Sequence, residues 1–141
     1  MASEVRHGDC LEVVRALAAE SVDLVYVDPP FFTQKTHSLV TRDRTTKFEF
    51  SDEWKSRAQY IEFLRVRLKE FRRVLKATGS LFFHCDTNAS HHIRCLLDEV
   101  FGEAAFRSEI IWHYRRWSNS QRHPMPSHQT IFFYSKTDRY Q

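Results

Sequence analysis

The stretch from Val22 to Phe32, VDLVYVDPPFF, constrains the fold of this chain more than any other. Its first half is an almost unbroken apolar run bounded by acids, the pattern of a strand buried on both faces of a parallel sheet. The run stops at Asp28. Two consecutive prolines cannot donate to a sheet ladder, and each pushes the residue before it into an extended conformation, so Asp28 and Pro29 leave the strand as a stiff edge that only accepts hydrogen bonds. Phe31 and Phe32 follow at once. In an open α/β sheet, ligands bind outside the carboxyl ends of the strands. This strand end therefore offers a carboxylate, a carbonyl without a neighbouring N–H and an aromatic face, which together suit a planar ring bearing an exocyclic amine.

The remaining segments supply a sheet around that strand. Leu11, Val14, Leu17 and Ala18 share one helical face, with Asp9 as the N-cap and Ala18 to Ser21 closing the helix. Such a unit puts Asp9 and Asp28 at neighbouring strand ends, facing one crevice. Residues 33–51 are polar without a sustained period and read as a long mobile loop, whose far end docks on the body through Phe48, Phe50 and Trp54. Ile61, Leu64, Leu68, Phe71 and Leu75 define a helix over Ala58 to Lys76, ended by Gly79. Ser80 to Asp86 is a buried strand, and Asn88 or Ser90 caps a further helix closed by Gly102. Glu109 to Tyr114 and Thr130 to Ser135 are two more strands, joined by a basic connection over 115–127. The order predicts a single α/β domain over residues 1–141 with a sheet of mixed direction.

Length and composition narrow the function. The chain has 141 residues, and its apolar share of 42% and charged share of 28% describe one globular domain. No apolar run approaches the ~20 residues of a membrane span, and the N-terminus lacks a signal peptide's apolar core, so a cytoplasmic protein without a membrane partner is expected. Three cysteines, odd in number, are expected to be reduced thiols. The net charge is +3, yet from Ile110 onward five basic residues face one acid, Asp138. Among them Arg115, Arg116 and Arg122 are interleaved with aromatic residues, as in phosphate and base contacts, and Lys35 is a further candidate near the strand end.

Rival chemistries fare poorly. His91 and Cys95, at i and i+4, form the only natural chelating pair, and without a second pair at zinc-finger spacing no metal site is expected. Cys85 adjoins His84 and Asp86, but strand alternation points neighbours to opposite faces, so it reads as a buried core thiol rather than a nucleophile. The chain has only three glycines, Gly8, Gly79 and Gly102, so neither a P-loop nor a GxGxxG turn can form.

Asp28-Pro29-Pro30-Phe31 resembles the (D/S)PP(Y/F/W) motif of DNA amino-methyltransferases, which methylate adenine N6 or cytosine N4 with S-adenosylmethionine. The resemblance extends along the chain. Gly8-Asp9-Cys10 is similar to the GDC-type segment upstream of DPP in the permuted (β-type) arrangement. Gly79 to Asp86, Asp98 to Gly102 and Glu109 to Trp112 look like its GS(I/L), H(C/I)D, LLDE(I/V)FG and NEI(I/V)W succession. His128-Gln129-Thr130-Ile131 resembles its later H(D/Q)TI strand. Residues from about Arg6 to Tyr140 are covered.

The resemblance implies a Rossmann-like methyltransferase sheet with helices on both faces. It also implies a catalytic motif Asp28, Pro29, Pro30 and Phe31, cofactor contacts at Asp9, Cys10 and Asp28, and double-stranded DNA as partner in a restriction-modification setting. In that family a glycine-rich DP(F)xGSGT-type segment follows the HQTI strand and wraps the methionine half of the cofactor. These 141 residues contain none. The expectation is thus the N-terminal catalytic half of such an enzyme: a fragment, a split subunit completed by a second polypeptide or by self-association, or a remnant. A non-catalytic DNA-binding or partner subunit is the main alternative, and an enzyme acting on free nucleobases or RNA a third.

Overall fold

The computed structural model describes residues 3–34, 36–40, 47–51, 53–115, 122 and 124–140. Strand β1 (Val22–Val27) pairs in parallel with β4 (Leu75–Cys85), β4 pairs antiparallel with β6 (His128–Ser135), and β6 antiparallel with β5 (Phe106–His113). The spatial order β1-β4-β6-β5 makes a four-stranded mixed sheet, as the alternation of segments predicts. Among the described strands β1 pairs on one side only. No described helix is long and apolar enough to cross a membrane.

Helix α2 (Arg57–Val74) is the main buttress. Ser56 caps it by accepting from the Gln59 N–H at 3.1 Å, and its buried stripe is Tyr60, Leu64, Leu68, Phe71 and Val74. The first four of these side chains meet Leu81, Phe83 and Cys85 of β4, Phe132 and Tyr134 of β6, and Ile93 and Leu97 of α3 (Ser90–Phe101) in one core. Each fully buried leucine contributes about 1.5–3 kcal/mol, so the core is the chief stabilising feature. Helix α1 (Cys10–Arg15) adds Val14 to the same cluster. A part-buried polar network crosses the core edge, where the Tyr134 hydroxyl donates to Asp98 at 2.5 Å and Arg94, also bound to Asp98, lies 3.5 Å over the Phe106 ring. Burial and the Asp98 carboxylate push the Tyr134 phenol well above its usual range.

Three expectations need correction, and all three described helices join one core on one face of the sheet. On the other face Leu24 and Tyr26 are 56% and 52% exposed, and Phe82 stacks on Phe133 with centroids 4.6 Å apart. Gly79 does not end the long helix: α2 stops at Val74 and β4 begins at Leu75. The register against β1 jumps from Val22↔Leu75 to Leu24↔Ser80, so residues 76–79 bulge out. Gly79 permits that bulge, because a Cβ there would sit 2.8 Å from Leu75 Cδ2 and 3.0 Å from the Lys76 carbonyl. Neither Asn88 nor Ser90 caps α3. Its N-cap is Ala89, and the Asn88 amide instead donates to Asp86.

The segment 33–51, read as a structureless loop, carries an antiparallel pair, β2 (Thr36–Val40) and β3 (Lys47–Ser51). The apolar-polar alternation around Phe48 and Phe50 suits a strand. Gln34 and Trp54 tie the two ends of this insertion together by paired side-chain to backbone bonds of 3.0 and 2.9 Å. Trp54 then packs on Tyr60 and Phe63, so the chain docks on the body there; the Phe48 and Phe50 side chains lie outside what is described.

Candidate active site

β1 and β4 run parallel, and the C-terminal residue of β4, Cys85, pairs with Thr130 near the start of β6. The carboxyl ends of β1 and β4, the end of β5 and the start of β6 therefore lie at one edge of the sheet. Asp28-Pro29-Pro30-Phe31 emerges there. The Asp28 side chain is 60% exposed, with Oδ1 3.1 Å from Nδ1 of His84. Phe31 is half-buried and stands edge-on to the His84 ring, with centroids 5.4 Å apart at 87°. Its carbonyl accepts from the Trp54 indole at 3.4 Å. Phe32 turns inward instead, against Tyr60.

His84 itself is buried at 5% exposure. It projects from the sheet face opposite the helices, where strand pairing brings Gln129 and Trp112 beside it. Nε2 lies 2.8 Å from Gln129 Oε1, and the Trp112 ring centroid is 5.4 Å away. Neither Gln129 nor Trp112 was singled out as a site residue, and His84 was weighed only beside the cysteines. The signal was present only as the motif strings HCD, HQTI and EIIW. Nothing local in them reveals that residues 45 positions apart meet across β4 and β6.

Next to Asp28 a cavity of about 470 Å³ follows the free side of β1, lined by Cys10, Val25, Val27, Asp28, Arg67 and Phe71 among others. Asp9 does not line it. Its carboxylate accepts from the Leu11 N–H at 2.8 Å and from Arg67 Nη2 at 2.9 and 2.8 Å. The Leu11 N–H, then the Arg67 guanidinium, hold that carboxyl below the usual range. The expected crevice with both acids thus becomes one in which Cys10 and Arg67 accompany Asp28, with Asp9 one contact behind. Arg67, on the helix expected over Ala58 to Lys76, was not singled out from sequence either; it also stacks 3.5 Å over Phe63.

Because the Asp9 pKa is depressed in the folded chain, its contribution is present above the ordinary carboxylate range and lost as pH falls through the folded value. Asp9→Ala is expected to lower the melting temperature at neutral pH, and the gap from the unmodified protein should close as the pH is taken below that range. A gap constant down to strong acid, in melting curves followed by circular dichroism, would remove the charged cap from the account.

The basic candidates divide. Arg115 and Arg122 are exposed on the connection between β5 and β6, which Tyr114 closes by donating to the Ser127 carbonyl at 2.8 Å, at the same sheet edge as Asp28. Lys35 and Arg116 lie outside the described residues. Cys85 is fully buried, and burial pushes its thiol up to about 12, so it is no nucleophile at neutral pH. The His91 and His92 rings lie 4.0 Å apart, and Cys95 is exposed.

The chain is similar to known proteins over most of its length. The chain is 29% identical over 144 residues to the type II methyltransferase M.HinfI of Haemophilus influenzae, covering 92% of this chain and 37% of that protein. To the StyLTI Mod subunit, a type III restriction-modification enzyme of Salmonella typhimurium, it is 30% identical over 155 residues, covering 92% and 23%. It thus spans well under half the length of these relatives. Among solved structures, the PvuII DNA methyltransferase (cytosine-N4-specific) superposes with a TM-score of 0.63 at 16% identity, over 94% of this chain and 48% of that one. TTHA0409 of Thermus thermophilus, in complex with S-adenosyl-L-methionine, gives 0.65 at 18%, over 95% and 53%. The fold is accordingly the Rossmann-like sheet of these methyltransferases, about half of it in these residues. The DNA methylase family model of the N6/N4 type matches residues 22–141, from the first residue of β1 onward, and the chain belongs to that family.

Proposed function

We propose that this chain carries the amine-binding half of a DNA amino-methyltransferase, which transfers a methyl group from S-adenosylmethionine to the exocyclic nitrogen of adenine or cytosine in double-stranded DNA. One observation carries the reading. Asp28, at the carboxyl end of β1, presents a 60% exposed carboxylate that lines a cavity, with Phe31 three residues on. The target amine is paired inside the duplex, so the base must leave the stack. Stacked on Phe31, it would donate its N–H groups to the Asp28 carboxylate and the Pro29 carbonyl, while Pro30 stiffens the turn. Both acceptors pull on the protons and orient the nitrogen's electron density for in-line attack, so no covalent enzyme intermediate is needed. The work is positioning and electrostatics.

The cofactor supplies an activated methyl group. The residues present offer room for part of it: Cys10, Asp28 and the apolar side of β1 line a cavity of about 470 Å³, and Asp9 stands behind through Arg67. They do not fit the methionine end, since no two of the three glycines are close enough in sequence to build a turn around it. That part is proposed to come from residues outside these 141, in the same or a second polypeptide. Arg115 and Arg122, with Arg116 and Lys35, are proposed to meet phosphates beside the extruded base.

The test is to incubate the transfer-competent protein with labelled S-adenosylmethionine and mixed-sequence duplex, then digest the DNA to nucleosides. Label in N6-methyladenine or N4-methylcytosine is expected; label at cytosine C5, or salt-dependent duplex binding without transfer, would refute the reading. Phe31 gives a second check. Phe31→Trp keeps a π-face and should stay active, whereas Phe31→Ala should lose about 1–3 kcal/mol of base stacking, roughly 5- to 150-fold in kcat/KM. Equal activity of the two variants would make Phe31 a packing residue only.

A further inference from the structure

His84 is buried and yet aimed at the site. Its side chain is 6% exposed, Nε2 lies 2.8 Å from Gln129 Oε1, and Nδ1 makes no hydrogen bond although Asp28 Oδ1 is only 3.1 Å away. The distance is that of a hydrogen bond, but the ring N–H direction is not yet aligned with the oxygen. A buried imidazole nitrogen left in that state costs free energy that a small turn of the ring, or of the exposed Asp28, recovers. Phe31 stands edge-on to the ring and Trp112 lies tilted beside it, each with its centroid 5.4 Å away, so the ring has little other freedom.

Resting on the reading of Asp28 as the amine acceptor, we propose that His84 is a positioning residue that holds this carboxylate through a proton on Nδ1. Oδ1 is then committed to His84, and Oδ2 is left pointing outward for the target N–H. Gln129 decides where the proton sits. If its carbonyl faces Nε2, that nitrogen carries a proton and Nδ1 holds Asp28 only when the ring is doubly protonated; if its amide is turned by half a turn, its NH₂ donates to Nε2 and the neutral ring carries its proton on Nδ1. Only the neutral ring protonated on Nε2 fails to hold Asp28. A carboxylate that is mostly exposed would otherwise sample several rotamers, and misplacing an acceptor by about 1 Å costs on the order of a hundredfold in rate.

Two measurements decide. Nitrogen-15 NMR of the histidine rings in the chain itself, with the His84 signals identified by their loss in His84→Asn, is expected to show Nδ1 protonated at neutral pH. An unprotonated Nδ1 overturns the proposal. In the transfer-competent protein, His84→Phe keeps the packing but has no donor, and its kcat should fall roughly 10- to 100-fold with the KM for DNA little changed. His84→Asn puts an amide N–H near the position of Nδ1 and should recover most of that loss, which a merely structural role would not produce. If Asp28→Ala is inactive while His84→Phe keeps full kcat, the positioning role is wrong and the acceptor reading stands. If Asp28→Ala is active, the acceptor reading itself falls, and this proposal with it. Should His84→Phe lose its thermal transition, the NMR result and the asparagine variant carry the decision.

Discussion

Asp28→Ala is expected to lower kcat for methyl transfer by a hundredfold or more, on the order of the loss seen when one preorganised polar group is removed from a reacting centre, while the protein stays folded. The carboxylate projects from the end of β1 beyond the last ladder residue, and it lies against His84, with Oδ1 3.1 Å from Nδ1. Its removal therefore leaves the core of α2, α3 and β4 untouched. What disappears is the one ionised acceptor proposed at the target nitrogen. The Pro29 carbonyl remains but, in the proposed pose, would reach only one of the two N–H groups. Initial rates with saturating DNA and cofactor, alongside a melting curve, separate the two effects. Activity within about tenfold of the unmodified protein corresponds to only ~1.4 kcal/mol of barrier and would remove Asp28 from the mechanism.

The strand-and-proline stretch was legible because its chemistry is local: an apolar run, a double proline and aromatic residues state their own conformation. α2 was legible for a similar reason, its apolar spacing placing it within two residues of its observed ends. The start of β4 was not, because Lys76 to Gly79 have neither helical nor strand period. They leave the ladder as a bulge that only the register against Val22 and Leu24 reveals. The hairpin of β2 and β3 was lost under its charged composition. The site divided along the same line. Asp28 and Phe31 belong to one turn and could be read together, whereas Asp9 with Arg67, and His84 with Gln129, are joined by packing between elements 58 and 45 residues apart. No periodicity within either partner encodes such a meeting. The motif strings marked these positions only as parts of a resemblance, without saying which side chains touch.

The 141 residues by themselves are expected to bind S-adenosylmethionine weakly and to show no detectable turnover. The cavity beside Asp28 is proposed to accept part of the cofactor, but close backbone approach to its methionine end needs a glycine turn, and Gly8, Gly79 and Gly102 are each engaged elsewhere. Gly8 precedes the cap of α1, Gly79 permits the bulge in β4, and Gly102, at φ 95°, ends α3. Holding the methyl donor by one end leaves the sulfonium free to wander, and methyl transfer depends on in-line geometry more than on any acid or base. The sheet points the same way. β1 is paired on one side only among the described strands, and the face bearing Leu24 and Tyr26 is open and apolar, so these residues should self-associate or accept a further strand. Calorimetry with the cofactor, sedimentation of the purified 141 residues, and transfer of labelled methyl to mixed-sequence DNA test this together. Tight binding with turnover by a monomer would show that these residues hold a whole site, and that the division proposed for the cofactor is wrong.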